Sequence, residues 1–206
     1  MKKYILLGAM LLTSGISAFA QSNNKMTNLF GLSWEISIPT NNEFLDKTSL
    51  AGGRLEYRHF LPNAPVSFGL GLSWNSYEQY TPTQTVYYKD GNSAITTDMD
   101  RVIYTVPVTA TAHYYFNSWK PVMPYIGVGL GAMYAEQTIY YNIFEDNTYN
   151  WGFVVRPEVG VLIRPNNGNW GILAGAHYQY ATNKNDLFDQ NSLKSFGFNV
   201  GFFLSR

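Results

Sequence analysis

Large apolar side chains alternate with glycine or small polar residues in eight stretches of about ten residues each along residues 21–206. The last stretch shows the pattern most clearly, since its alternate positions are Phe196, Phe198, Val200, Phe202 and Leu204. Successive side chains of a β-strand point to opposite faces, so a period of two predicts strands. Eight such segments, each with an aromatic face and a glycine face, predict an all-β protein, an eight-stranded antiparallel up-and-down transmembrane β-barrel.

The beginning of the chain has the pattern of an export signal. Two lysines precede a short apolar stretch, and a small-residue motif ends at Ala20. The apolar stretch is too short to cross a bilayer as a helix, so we expect a cleaved signal peptide at 1–20 and one mature domain at 21–206. The chain contains no cysteine, which excludes a lipoprotein anchor, thiolate chemistry and cysteine metal ligands.

The lengths of the links between strands predict how the barrel is oriented. The alternation places strands at 29–38, 50–61, 66–77, 101–116, 124–136, 150–164, 170–181 and 194–205. Short turns of outer-membrane barrels are periplasmic, and long loops face the exterior. We therefore expect four long extracellular links, at 39–49, 78–100, 137–149 and 182–193. The sequence Asp90-Gly91-Asn92 predicts a hairpin turn in the second of these links, which would carry strands three and four beyond the membrane.

Side-chain size decides which face points to lipid. An eight-stranded barrel has room inside only for modest side chains, whereas one face of these segments carries fourteen large rings. These rings are Phe30, Trp34, Phe68, Trp74, Tyr104, Tyr114, Tyr134, Trp151, Phe153, Trp170, Tyr178, Phe196, Phe198 and Phe202. The glycine face is therefore expected to line the lumen. A soluble lipocalin-like barrel would have the reverse pattern and is disfavoured.

The face expected to line the lumen also carries charged residues. They are Glu35, Arg54, Glu56, Arg58, Arg156, Glu158 and His177. Buried charges need partners, because an isolated one costs several kcal/mol or more. We therefore expect a lumen charge network that fills the barrel. A polar path for ions or a small solute, and a catalytic constellation, remain as alternatives.

Strand register refines this expectation. A tight turn at 62–65 would place Arg54 opposite Ser73, with glycines opposite the next two charged residues of the same strand. A symmetric first link would place Glu35 opposite Arg54. His177 would neighbour Glu158.

Three segments carry a family resemblance. The sequence Pro-Tyr-Ile-Gly-Val-Gly-Leu-Gly at 124–131, the sequence Phe-Gly-Leu-Gly-Leu at 68–72 and the phenylalanine-rich last strand resemble the outer-membrane-protein β-barrel domain family, the OmpA/OmpX-like eight-stranded barrels. The resemblance covers essentially all of 21–206. Its motifs are architectural and carry no catalytic signature. Such chains often end in an aromatic residue that the assembly machinery recognises, whereas this one ends in Arg206 with two phenylalanines nearby.

The resemblance implies an integral protein of the cell outer membrane of a Gram-negative bacterium. Its expected partners are the outer-membrane assembly machinery during biogenesis, and outer-membrane lipids and lipopolysaccharide afterwards. We expect a monomer without a cofactor or metal. The chain has no stripe of basic residues that would indicate nucleic-acid binding.

The long links are the other candidate for function. They contain or adjoin ten of the fourteen acidic residues, together with several tyrosines, which suit adhesive surfaces. These acidic residues are Glu43, Asp46, Glu78, Asp90, Asp98, Asp100, Glu145, Asp146, Asp186 and Asp189. We therefore expect a structural or interaction role through the extracellular loops, in adhesion, envelope integrity or partner binding, with an unknown extracellular ligand. A solvated rim bridged by divalent cations is the simpler interpretation of the same residues.

Two further functions remain as alternatives. The first is a narrow channel or small-solute conduit. The weaker one is an enzyme that modifies lipid A, which would need a serine and histidine pair near the outer rim. The histidines His59, His113 and His177 are not predicted there, and the chain has no Gly-x-Ser-x-Gly elbow. We therefore expect that the protein is not an enzyme.

Overall fold

The computed structural model describes residues 25–40, 44–87, 94–118, 120–141, 144–165, 168–185 and 190–206. Eight antiparallel strands form a closed barrel in which each strand pairs with its neighbours in sequence and the last pairs with the first. The strands are β1 (Asn28–Pro39), β2 (Ser49–Phe60), β3 (Val66–Tyr87), β4 (Ala94–Tyr115), β5 (Val122–Tyr141), β6 (Phe144–Ile163), β7 (Trp170–Ala181) and β8 (Leu193–Ser205). The signal peptide expected at 1–20 and the turn motif Asp90-Gly91-Asn92 lie outside the described residues.

The two faces of the strands are arranged as the sequence predicts. All fourteen rings of the predicted lipid face lie on the outside, where each is exposed or half-buried. Phe202, for example, is 66% exposed, whereas its neighbour Phe203 on the inward face is 1% exposed. The alternation thus separates a lipid-facing surface from a packed interior. Among the described residues, no helix is long and apolar enough to cross a membrane.

Four strands are much longer than predicted. β3 and β4 have 22 residues and β5 and β6 have 20, whereas β1, β2 and β7 have 12 and β8 has 13. The expected long link at 137–149 is therefore wrong, because most of its residues are paired strand. The link at 78–100 is also mostly paired strand, which agrees with the expected continuation of strands three and four towards a hairpin turn. A bilayer crossing needs about 9–11 residues, so β3–β6 carry about ten more than the crossing requires.

The additional residues form a four-stranded sheet that continues one end of the barrel. Its first row across the strands consists of Ser76, Tyr104, Glu136 and Tyr149. We call the part of β3–β6 from this row outward the extension; it comprises residues 76–87, 94–104, 136–141 and 144–149. The opposite end of the barrel, where the links at 61–65, 116–121 and 164–169 are short, is called the turn end.

The interior is filled in three layers. The layer at the turn end is apolar and consists of Met26, Leu29, Phe60, Tyr115, Met123, Tyr125, Leu162, Leu173 and Phe203. The layer towards the extension is also apolar and consists of Phe44, Leu45, Tyr77, Met99, Ile103, Met133, Ala135, Ile139, Val154, Ala181 and Leu193. Charged side chains occupy the layer between them. The apolar layers thereby separate the charges from the water at both ends.

One predicted cross-strand pair is wrong. Glu35 pairs with Gly52, and Arg54 pairs with Ser33, because the link between β1 and β2 is not symmetric and the register shifts between Glu35 and Ser37. The other register predictions are confirmed: Arg54 lies opposite Ser73, and Glu158 lies opposite His177.

Candidate functional site: a charged layer in the lumen

The charged layer is built from alternate positions on strands that face each other across the barrel. β2 contributes Arg54, Glu56 and Arg58, and β6 contributes Arg156 and Glu158. The side chains are 1–7% exposed, so each charge has lost most of its contact with water. Since the desolvation of an unpaired charge costs several kcal/mol, the partners of these groups decide whether the barrel is stable.

The carboxylate of Glu56 holds the two arginines of its own strand. Its Oε2 lies 3.2 Å from Nε of Arg54, and its Oε1 lies 3.0 Å from Nη2 of Arg58. Both arginines also reach across the lumen to Glu158, at 3.2 Å from Nη2 of Arg54 and 3.5 Å from Nη2 of Arg58. β2 and β6 are therefore joined through the middle of the barrel and not only through the sheet.

Glu35 and Arg156 form a second, bidentate pair nearer the extension. Nη2 of Arg156 lies 2.6 Å from Oε2 of Glu35, and Nη1 donates to Oε1 at 3.2 Å. Asn75 donates a further hydrogen bond to Oε1 of Glu35 at 2.9 Å. Two parallel bonds from a guanidinium are stronger and more directional than a single one. Arg156 also connects this pair with the group around Glu56 and Glu158, because its Nε lies 3.8 Å from Glu158.

Both inward-facing histidines take part in this layer. Nε2 of His113 lies 2.6 Å from Oε1 of Glu158, and because a carboxylate only accepts, the imidazole is the donor. Nη2 of Arg156 donates to Nδ1 of His177 at 3.0 Å, so the proton of that neutral ring belongs on Nε2, which lies 3.5 Å from Glu35. The three arginines balance the three glutamates without a contribution from either histidine.

Glycines make room for these long side chains. A Cβ added at Gly127 would lie 2.4 Å from Cδ2 of His113, and one added at Gly197 would lie 2.6 Å from the ring of His177. At Gly71 it would lie 3.1 Å from Nη2 of Arg54. The glycine face of the strands is thus the space that the charged layer occupies.

Four polar residues that contact the charged layer were not among the predicted site residues. The hydroxyls of Tyr115 and Tyr125 each accept a hydrogen bond of 3.1 Å from Arg58, and the guanidinium lies 4.4 Å from the centre of the Tyr125 ring. His113 and Asn75 are the other two. In the sequence, all four occupy alternate strand positions that are expected to face the lumen. Parity alone does not tell which inward polar residue contacts which charge, because that depends on how the sheet closes.

One part of the layer has the order of a catalytic relay. Ser67 Oγ lies 3.4 Å from Nδ1 of His113, whose Nε2 bonds to Glu158. A nucleophile must also be reached by substrate, whereas Ser67 is 0% exposed and bonds to Tyr115 at 3.0 Å. Glu158 is in turn neutralised by arginines. The geometry therefore fits structural hydrogen bonding. Among the described residues, no group of three His, Asp or Glu side chains is placed to hold a metal ion.

Comparisons with known proteins agree with the architecture. The family model described as outer membrane protein beta-barrel domain matches residues 6–204. No curated protein sequence is similar enough to match the chain. Among solved structures, Neisserial surface protein A aligns with a TM-score of 0.60 and 15% identity, covering 87% of this chain and 97% of that one.

Two further structures align with lower scores. The attachment invasion locus protein Ail of Yersinia pestis has a TM-score of 0.45 and 15% identity, over 86% of this chain and 96% of that one. Outer Membrane Protein W of E. coli has a TM-score of 0.44 and 16% identity, over 88% of this chain and 99% of that one. The match of the family model to nearly the whole chain, with a closed barrel that is apolar outside, shows that this chain belongs to the outer membrane protein β-barrel domain family and is a protein of the bacterial outer membrane.

Proposed function

We propose that the protein is a sealed outer-membrane barrel whose extension is an extracellular interaction surface, serving adhesion or partner binding. The observation that carries the proposal is the contrast between the two parts of β3–β6. Where these strands belong to the barrel, their inward side chains are packed into a filled lumen. Beyond it β3 and β4 continue for 12 and 11 residues and β5 and β6 for six each, which a membrane crossing does not require. Paired strands on a rigid barrel present side chains in fixed positions, which lowers the entropic cost of binding.

The mouth of the barrel supports the sealed part of the proposal. Phe44 and Leu45, from the link between β1 and β2, lie buried in the apolar layer that joins the barrel to the inward face of the extension. Arg101 donates a hydrogen bond of 3.0 Å to the carbonyl of Phe44, and Gln79 accepts one of 2.9 Å from the amide of Asp46. The void beneath, lined in part by Tyr77 and Met133, measures about 20 Å³, which is roughly the space of one water molecule.

The link between β7 and β8 adds to this closure. Gln137 of β5 bonds to both Asn185 and Gln190, and these two residues also pair with each other through their backbones. Asn183 donates to the carbonyl of Met133 at 3.0 Å. The described residues of this link are thereby held against the base of the extension, and together with Phe44 and Leu45 they close the mouth.

The orientation of the barrel in the membrane is part of the proposal. We place the extension and the links at 40–48 and 182–192 outside the cell, and the short links at the turn end in the periplasm, because outer-membrane barrels have short periplasmic turns. The mature domain would begin at residue 21 after removal of the export signal. The charged layer, including Glu35, Arg54, Glu56, Arg58, Arg156, Glu158 and His177, would serve as the polar core that holds the barrel closed.

Shortening the extension tests this function. Residues 79–101 and 139–146 are replaced by two-residue Asn-Gly turns, which join the cross-strand partners Glu78 with Val102 and Thr138 with Asn147. Cells that carry the shortened protein should lose surface adhesion to the level of a deletion strain. Heat-modifiable migration on gels controls for folding of the remaining barrel. Adhesion that depends on the protein but survives the shortening would contradict the proposal.

A narrow channel is the second candidate, because six paired charges line the middle of the lumen and would favour water if the apolar layers opened. Profiling the deletion strain for envelope permeability and lipid A composition separates the candidates. A permeability defect restored by the shortened protein would favour the channel. Altered lipid A would favour an enzyme, with Ser67, His113 and Glu158 as its candidate catalytic residues.

A further inference from the structure

The outward face of the extension has a regular arrangement of rings and carboxylates. In the first row of the extension, Glu136 of β5 lies between Tyr104 of β4 and Tyr149 of β6. Glu136 is held in place by a hydrogen bond of 3.1 Å from the hydroxyl of Tyr134 and one of 2.9 Å from Asn147. The carboxylate is therefore oriented before any partner arrives, and the flanking ring of Tyr149 is 71% exposed.

A second row, four residues further along the strands, repeats the arrangement. Here rings and carboxylates alternate across all four strands in the order Tyr80, Asp100, Tyr140 and Glu145. Neighbouring strands are about 4.8 Å apart, so each carboxylate lies beside at least one exposed ring. Tyr80 and Tyr140 are 56% and 43% exposed. Glu78 lies between the two rows at the edge strand and adds another carboxylate.

The outward face of the extension carries charges of one sign, whereas its inward face carries both Arg101 and Asp146. Its described residues include five outward carboxylates, namely Glu78, Asp98, Asp100, Glu136 and Glu145. Arg101 is the one basic residue among the described residues of the extension. It points inward, where its guanidinium donates to the carbonyl oxygen of Phe44. Strand alternation thus leaves the outward face acidic, with no outward-facing cation among the described residues of the extension.

This combination of groups is complementary to cations. A lysine or arginine side chain is attracted both to the face of an aromatic ring and to a carboxylate, and the two attractions add where ring and carboxylate are neighbours. An extended peptide with basic residues at alternate positions presents them all on one face. Their spacing of about 6.8 Å is half of the distance of about 13.6 Å between the two rows, so every second basic residue of a peptide that runs along the strands can reach a row. Anionic lipid headgroups would be repelled by the same surface.

We propose that the outward face of the extension docks an extended, lysine- or arginine-rich segment of a partner protein. The inference rests on the proposed function, because it assumes that the extension is an extracellular interaction surface, and it adds the face and the chemistry of the partner. Tyr104, Glu136 and Tyr149 form one cation position, and the row from Tyr80 to Glu145 forms the others. The binding is electrostatic and therefore weakens as salt is added.

The test uses the full chain in nanodiscs of zwitterionic phosphatidylcholine, with empty nanodiscs as the blank. The probe is a short fluorescein-labelled peptide of alternating lysine and threonine, followed by anisotropy, and a peptide of alternating glutamate and threonine is the charge-reversed comparison. The wild type should bind the lysine peptide and not the glutamate peptide. The variant D100N/E145Q should bind the lysine peptide about tenfold more weakly, and Tyr140→Leu about threefold more weakly.

The chain offers a matched control. Asp146 is adjacent to Glu145 on β6, is also exposed, and points to the opposite face. Asp146→Asn should change affinity by less than about twofold, whereas Glu145→Gln should reduce it about threefold. Equal effects of these two substitutions would mean that only net charge matters and would overturn the proposal. Complete displacement of the peptide by millimolar magnesium at constant ionic strength would identify divalent cations as the occupant and would also overturn it.

The two proposals fail differently. If shortening the extension abolishes adhesion while D100N/E145Q binds the lysine peptide as the wild type does, the interaction function stands and the cationic partner is wrong. If the peptide binds as expected but shortening leaves adhesion intact, the docking face stands and adhesion is not its role.

Discussion

At the scale of single residues, this barrel contains charges that can be buried only because each has a partner. Glu35 and Arg156 form two parallel bonds, and Glu158 is contacted by Arg54 and His113. The attraction of such pairs largely offsets the cost of their desolvation, so their net contribution to stability is small while both partners are present. Removal of one partner is strongly destabilising, because the other charge then remains buried without compensation.

The substitution Arg156→Ala should therefore destabilise the protein strongly. It leaves the carboxylate of Glu35 with the hydrogen bond from Asn75 and with His177 at 3.5 Å but without an arginine in contact among the described residues, and we expect a loss of about 3 kcal/mol or more in the free energy of unfolding. Urea or heat unfolding in detergent measures the loss. Lys47→Ala, at an exposed position in the link between β1 and β2, is the control, and an equal effect of both substitutions would show that the pair is solvated.

A double substitution separates pairing from packing. If the loss comes from the carboxylate left without its arginine, adding Glu35→Gln to Arg156→Ala should recover part of the stability. The double variant should then be more stable than the sum of the two single changes in unfolding free energy predicts. Strict additivity of the two changes in unfolding free energy would mean that the side chains act only by filling space.

Glycine on the lumen face should be replaceable only where the charged layer leaves room. Gly127→Ala would bring a Cβ to 2.4 Å from the His113 ring, whereas Gly129→Ala would bring one to 3.3 Å from Thr109 on the same neighbouring strand. We expect the first to cost roughly 1–3 kcal/mol, through displacement of His113 from Glu158, and the second clearly less. Unfolding free energies of the two variants check this, and the reverse order would contradict the role of Gly127.

At the scale of strands, the main departure from the sequence prediction is the length of β3–β6. The hairpin turn expected within 78–100 anticipated that β3 and β4 continue, whereas residues 137–149 were expected to be a link and most of them are paired strand. Period-two alternation is detected through the contrast between apolar and polar residues, and this contrast exists where one face meets lipid. Beyond the membrane both faces can be polar, so the contrast is weak although tyrosine, threonine and valine favour strands there. The alternation therefore placed the ends of the strands near the point where the contrast with lipid ends, and a turn motif indicated the continuation of β3 and β4 only.

The topology can be checked by labelling, because the chain has no cysteine. A single cysteine at Thr83, which is exposed in the extension, should react with a membrane-impermeant maleimide on intact cells. One at Asn117, exposed at the turn end, should react only after the outer membrane is opened. Mass shift of the purified protein reports both reactions. Labelling of Asn117→Cys but not Thr83→Cys on intact cells would mean that the barrel is oriented the other way.

At the scale of the whole molecule, three packed layers in series block the lumen. The charged layer has a balance of three arginines and three glutamates, and an apolar layer closes each end. Eight strands enclose a space that side chains of this size can fill. In the proposed function the barrel is a support that positions the extension, and described residues of the two links at its mouth also contact the base of that extension.

The purified protein should consequently form no steady open pore in a planar bilayer. Phe44→Ala should leave it closed as well, because the charged layer and the apolar layer at the turn end remain in place. Single-channel recording measures this. Steady, ion-selective conductance from the wild type would reject the sealed barrel, whereas conductance that appeared only on removal of Arg54 or Arg156 would identify the charged layer as the limiting barrier.

The sequence alone determined the class of fold, the number of strands and the face that meets lipid. These properties are local, since the parity of a side chain along a strand decides its face, and the size of fourteen aromatic rings excludes them from the lumen of a small barrel. Parity also indicated that Glu35, Arg54 and Arg156 point inward. Their partners were decided by the closed barrel, because residues as far apart as Glu35 and Arg156 meet only after eight strands close with a particular register. The extension was decided in the same way, by cross-strand pairing that persists where the contrast with lipid has ended.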